Sequence, residues 1–201
     1  MATLKLNNTT VFTETNGAAS IPSGVTIGNG VKFPAGHILQ VLSTTVTDRA
    51  SSTDVDASGL GGDVGLNVTI TPKSSNSKFY VIVNVGLGTT TGGNSWAIIL
   101  SRDGVRVGNG ASTGDHYGVL FRSVDHAGNN GTDTNHGVGG SGSYTDETSG
   151  ITGTPITYKA GLTSEGGTSY LNRVESDYAG GTTSVAAAYA QSTITVMEIQ
   201  K

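Results

Sequence analysis

Asp125, His126, Asp133, His136 and Asp146 fall within one glycine-rich stretch, SVDHAGNNGTDTNHGVGGSGSYTDETSG, residues 123–150, and Asp115-His116 lies just upstream. Carboxylates and imidazoles are the ligands of zinc and related cations, and a loop could close them around an ion. Such a centre needs two ligands held on one face of an element. No two histidines stand at the i, i+2 or i, i+4 spacing that achieves this, and no His-Glu-x-x-His occurs. The spacing therefore predicts neither a metal centre nor a cofactor site.

Paired carboxylates could instead hydrolyse a glycosidic bond, provided rigid elements hold them about 5–9.5 Å apart. Asp146-Glu147 and Glu175-Ser176-Asp177 are expected on turns, so a polysaccharide depolymerase is the least favoured of the functions considered. A serine nucleophile would need a strained Gly-x-Ser-x-Gly elbow. None occurs, and Gly139-Gly140-Ser141-Gly142-Ser143 reads as a flexible turn. Gly28-Asn29-Gly30 and Gly108-Asn109-Gly110 lack the third glycine and the following helix of a phosphate cradle. Asn67-Val68-Thr69 has the form of a glycosylation sequon but falls in an expected strand. Aromatic faces stack on sugar rings, and Tyr117, Tyr144 and Tyr178 are the candidate glycan contacts; Trp96 alternates with Ile98 and Leu100 and reads as core.

With 11 basic and 15 acidic residues the formal net charge is −4, which offers nucleic acid no basic footprint. No apolar run approaches the roughly eighteen residues of a membrane-spanning helix. The start, Met1-Ala2-Thr3-Leu4-Lys5, has no basic segment leading into an apolar one, so the expectation is a protein made in the cytoplasm without a membrane partner. Cysteine is absent, which removes disulfides and thiolate chemistry.

The elements that must position these residues are strands. Of 201 residues 31 are glycine, about twice the usual share of ~7%, which favours short strands joined by tight turns. Early on the chain repeats every six residues, SGVTIG, NGVKFP, AGHILQ, with Gly24, Gly30 and Gly36 in one phase and Ile21, Ile27, Phe33 and Leu39 in another. Three such hexads cannot bury their own apolar face, so other copies of the chain are expected to cover Ile21, Ile27 and Phe33. From residue 37 a two-residue alternation takes over in ILQVLSTTV, LNVTITP and KFYVIVNVGLG, and the last of these places Phe79, Val81, Val83 and Val85 on one face. Asp103-Gly104 between WAIILSR and VRVG predicts a tight hairpin. The fold expected is all-β, an antiparallel β-sandwich or jelly-roll head with a short N-terminal β arm or stem.

In order along the chain, FPAGHILQVLSTTVTD, LNVTITPKSSNSKFYVIVNVGLG, GGNSWAIILSRDGVRVG, TSYLNRVESD and STITVMEIQ resemble a module common among virion proteins of tailed bacteriophages of aquatic bacteria. The resemblance spans Phe33 to Lys201 apart from the glycine-rich segment. It implies a non-enzymatic β-rich particle protein, commonly a homotrimer, with an N-terminal attachment segment and a globular head. No catalytic motif comes with it. Phage proteins are made in the host cytoplasm and leave by lysis, which agrees with the missing signal.

The leading expectation is thus a trimeric virion surface protein, a capsid decoration or head-fibre cement protein. Residues 1–36 would dock on the particle or intertwine through Ile21, Ile27 and Phe33, residues 37–201 would form the head, and 123–150 would be an exposed loop. Its partners would be the major capsid protein or a tail component. The alternative is a short tail-fibre or receptor-binding protein whose Tyr117, Tyr144 and Tyr178 contact host surface glycan.

Overall fold

A computed structural model describes residues 3–6, 9–15, 18–20, 34–55, 59–89, 95–111, 118–124, 137–148, 150–164, 168–172 and 190–201. The chain packs as two units, Met1–Phe33 and Pro34–Lys201. Regular structure among these residues is all strand, and every pairing is antiparallel.

In the first unit β1 (Thr3–Leu6), β2 (Thr9–Thr15) and β3 (Ala18–Ser20) form a sheet in that order. Ile21, Ile27 and Phe33, the predicted stem contacts, lie outside the described residues.

The second unit holds two sheets. One runs β10 (Phe121–Val124), β8 (Ser95–Arg102), β12 (Ile156–Ser164), β6 (Gly62–Ile70), with β9 (Val105–Arg106) beside β8. The other runs β4 (Ile38–Val46), β14 (Ser192–Gln200), β7 (Ser77–Thr89), β13 (Ser169–Leu171), β5 (Ala50–Ser52), with β11 (Gly137–Asp146) along the opposite side of β7. Their apolar faces share one core, the arrangement of a β-sandwich.

Strict alternation builds that core. Val64, Leu66, Val68 and Ile70 of β6 face Phe79, Val81, Val83 and Val85 of β7, and all eight are buried. Val81 pairs with Val196 and Val83 with Ile194, none of them exposed, so each contributes on the order of 1.5–3 kcal/mol of apolar burial. On the other face of β7 Tyr80 and Ile82 are half-buried. Trp96 is 2% exposed and meets Phe121 edge-on at 5.9 Å, which places it in the core as its alternation predicts. Asp103 and Gly104 take φ of 48° and 78° between β8 and β9, the left-handed pair of a two-residue hairpin.

β7 is longer than either neighbour on one flank. β14 covers Ser77–Asn84 and β13 covers Leu87–Thr89. At the handover Asn172 is fully buried with φ of 61°, a conformation that asparagine tolerates better than most residues. Its N–H donates to Gly86 O at 2.7 Å. Its amide Nδ2 donates to Val46 O at 2.7 Å and Asp48 O at 3.0 Å, and its Oδ1 accepts the Ser192 hydroxyl at 2.6 Å. One side chain thereby ties the bend between β4 and β5 to the junction of β13 and β14.

The glycine-rich stretch corrects the expectation of an exposed loop. Residues 137–146 form β11, paired with β7 from Gly137↔Gly88 to Asp146↔Phe79. GGSGS is strand, not turn. A Cβ at Gly140 would fall 2.3 Å from Phe121 Cε2, and one at Gly142 2.8 Å from both Leu120 Cγ and Phe121 Cδ1. Glycine is required because the Phe121 ring lies on the backbone of β11, and the inward positions consequently carry no apolar signal. Residues 125–136 are outside the described set.

Candidate functional site

Of the residues with chemical potential, the described part of the chain gathers four into one buried cluster. Asp146 ends β11 at a position paired with Phe79, so its carboxylate points between the sheets, where the residue is 2% exposed. Arg102 arrives from the end of β8 and Tyr158 from β12. Asp146 Oδ2 accepts from Arg102 Nη1 at 2.5 Å and from the Tyr158 hydroxyl at 2.7 Å. Asp146 Oδ1 accepts the Thr148 N–H at 3.0 Å, a local Asx-type turn, and Arg102 also donates to the Thr148 hydroxyl.

The electrostatics follow from this donor set. Burial pushes the Asp146 carboxyl up, but the bonds from Thr148, Tyr158 and Arg102 outweigh it and hold the group below the ordinary carboxylate value. Burial, followed by the bond to Asp146, drives the Tyr158 hydroxyl far above the usual tyrosine value. Burial alone would lower the Arg102 guanidinium; the Asp146 carboxylate more than restores it. A carboxylate held ionised by three donors is a poor general acid and an occupied base. The cluster is suited to bridging two sheets, since breaking it would strand a charge in the interior.

Glu147 points the other way. Its carboxylate is 3.1 Å from Lys201 Nζ and 3.9 Å from Lys78 Nζ, with 63% of the side chain exposed. Asp146 closes β11 and Glu147 is the first residue beyond it, one buried and one exposed. This is not the facing pair a glycosidase uses.

Tyr144, a candidate glycan contact, is half-buried against the core. A Cβ at Gly108 would fall 2.4 Å from Tyr144 Cγ, so the ring lies on the backbone of Gly108, which has φ of 64°. Burial and the nearby Asp146 raise its hydroxyl above the ordinary value. Tyr117 and Tyr178 lie outside the described residues, as do Asp115, His116, Asp125, His126, Asp133 and His136. Glu175 and Asp177 do as well. Among the described residues no three His, Asp or Glu side chains come together as a metal centre.

A second buried carboxylate escaped the sequence reading. Glu198 is 0% exposed on the inward face of β14. Its Oε1 accepts the N–H groups of Lys73 and Ser74 at 2.9 and 3.0 Å and the Ser77 hydroxyl at 2.6 Å. Its Oε2 accepts Gln40 Nε2 at 2.6 Å and shares the Lys73 N–H at 3.0 Å. The side chain closes the turn between β6 and β7 against the start of β4. Its position two residues beyond Val196 and four beyond Ile194 was the available signal, because period-two alternation puts it inside.

No family model and no curated protein matches the chain. Several solved structures resemble it at low similarity, two of them as follows. Dimeric latent PorU from Porphyromonas gingivalis aligns at 11% identity and a TM-score of 0.38, over 86% of this chain and 14% of that one. A structure of infectious bursal disease virus, Gx strain, aligns at 12% identity and a TM-score of 0.31, over 80% of this chain and 40% of that one. The chain spans less than half the length of either, and neither likeness is close enough to inform function.

Proposed function

We propose that the chain is a non-enzymatic bacteriophage virion protein displayed on the particle surface, a homotrimeric capsid decoration or head-fibre protein. The observation that carries this reading is the division into separately packed units, a small N-terminal β unit and a larger sandwich. An attachment segment followed by a displayed head has that organisation, and the resemblance of Phe33 to Lys201 to virion modules supports it. The buried ionisable groups of the sandwich agree with a structural role. Asp146, Arg102, Tyr158 and Glu198 are committed to bonds between or within the sheets. Trimerisation is assigned to residues 1–36 through Ile21, Ile27 and Phe33, and the partner to the major capsid protein.

The test is gold labelling, with an antibody to the sandwich, of particles banded from a lysate of cells that carry the gene. Label over the heads supports decoration. Label confined to the tail moves the protein to a short tail fibre, and label absent from particles overturns the virion reading. Light scattering of the full chain tests the trimer, which Ile27→Asp should dissociate by placing a charge in a shared apolar core.

A further inference from the structure

We infer that the free edge of β4 pairs with the β4 edge of a second copy of this chain, antiparallel, to make one sheet continuous across two heads. Among the described residues β4 bonds on one side only, to β14. Natural sheets blunt such edges with lysine, proline, charge or bulges. β4, ILQVLSTTV, has no charged residue and no proline. A bulge falls at Leu39, where Gln40↔Glu198 is followed by Ile38↔Ile199, and leaves Gln40–Val46 in regular register.

The side chains point to a strand as the occupant. Of the six large apolar side chains exposed among the described residues, three are on β4: Ile38 at 49%, Val41 at 50% and Leu42 at 38%. Leu42 pairs with buried Val196 and so lies on the core side, while Val41 pairs with Met197 on the outer side. A partner laid on either face of the sheet would cover one of them. A strand added at the edge covers both.

Self-complementarity favours a second copy: the edge calls for an uncharged strand with apolar side chains on both faces, and β4 is one. Chains of net charge −4 repel one another in general, and an uncharged strand is where two of them approach at least cost. Antiparallel pairing of β4 with itself sets no like charges opposite each other and gives an isologous twofold contact. Nine residues at about 3.4 Å each make an edge ~30 Å long, and a strip ~10 Å deep gives roughly 300 Å² per partner, short of the ~800 Å² of a stable complex. The contact is therefore weak and concentration-dependent in solution, and becomes strong where copies are held side by side. It is independent of the trimer assigned to residues 1–36.

Sedimentation of the full chain from about 1 μM to about 1 mM, with hydrogen exchange at each concentration, tests it. The expected result is a mass that doubles from its low-concentration value while alternate amides of Gln40–Val46, those facing away from β14, slow in step. Val41→Lys should abolish both changes, and Val105→Lys, at an exposed position on β9, should preserve them. A constant mass with freely exchanging β4 amides overturns the inference, whether or not that mass is trimeric. So does a trimer that falls to monomers in Val41→Lys, which would give β4 to a threefold contact. A monomer that doubles upholds this pairing and removes the trimer instead. Should Val41→Lys melt below the wild type, the wild-type exchange data decide alone.

Discussion

The Asp146 carboxylate on β11 meets the Tyr158 hydroxyl on β12 at 2.7 Å, and this bond, with the Arg102 pair beside it, joins the two sheets at one end of the sandwich. The buried acidic residue of the glycine-rich stretch is thereby a tie within the fold.

Asp146→Asn removes the charge that Arg102 needs and leaves the guanidinium in a mostly apolar site. Loss of a fully buried pair costs about 3–5 kcal/mol. Arg102 keeps 23% of its side chain in water, which reduces the expected cost to about 2–3 kcal/mol. Urea denaturation should show the midpoint falling with no change in slope.

The same pair sets the pH profile. Asp146 is held below its unfolded value, so its contribution is present above about pH 4 and lost as pH falls through the folded value. Tyr158 is held above its unfolded value, so its contribution is present below about pH 10 and lost as pH rises beyond that. Melting temperature should be level between these limits and fall on both sides. Tyr158→Phe should flatten the alkaline limb and cost about 1 kcal/mol at neutral pH, since Asp146 loses a donor. Tyr144 shifts in the same direction, so a residual alkaline slope should remain.

Glu198→Gln puts an amide where Lys73, Ser74, Ser77 and Gln40 all donate, and its NH₂ must face one of those donors. The expected loss is about 2–3 kcal/mol, with faster proteolysis between β6 and β7 before global unfolding. Wild-type resistance to cleavage there would contradict the role of Glu198.

Gly140→Ala drives a methyl group into Phe121, at an expected cost of about 1–3 kcal/mol. Phe121→Leu should recover part of it, so the double mutant should be more stable than the sum of the singles by at least ~0.5 kcal/mol. Additive losses would mean the ring does not lie on β11.

The long strands were legible because alternation and burial coincide in them. ILQVLSTTV and STITVMEIQ span β4 and β14 residue for residue, and Asp103-Gly104 marked its hairpin. β11 was not legible: its inward positions Gly140 and Gly142 have no side chains, their space being filled by Phe121 of β10 and Leu120 just before it. The Asp146 cluster was hidden for a related reason. Its partners stand 44 and 12 positions away, and only the sheet register brings them together. Asn172 carried no local sign, since its role comes from β14 starting where β13 ends.

β14 lies between β4 and β7, and Ser43 bonds to Ile194 across 151 positions of chain. During synthesis β4 and β7 emerge well before the strand that belongs between them, and until Ser192–Gln200 leaves the ribosome each keeps a vacant flank. The nascent head thus passes through a stage in which two apolar strands await one partner, and closing so long a span makes completion slow. Among the described strands the one in the middle of this sheet is the last to be made, which exposes newly made chains to mispairing before they mature.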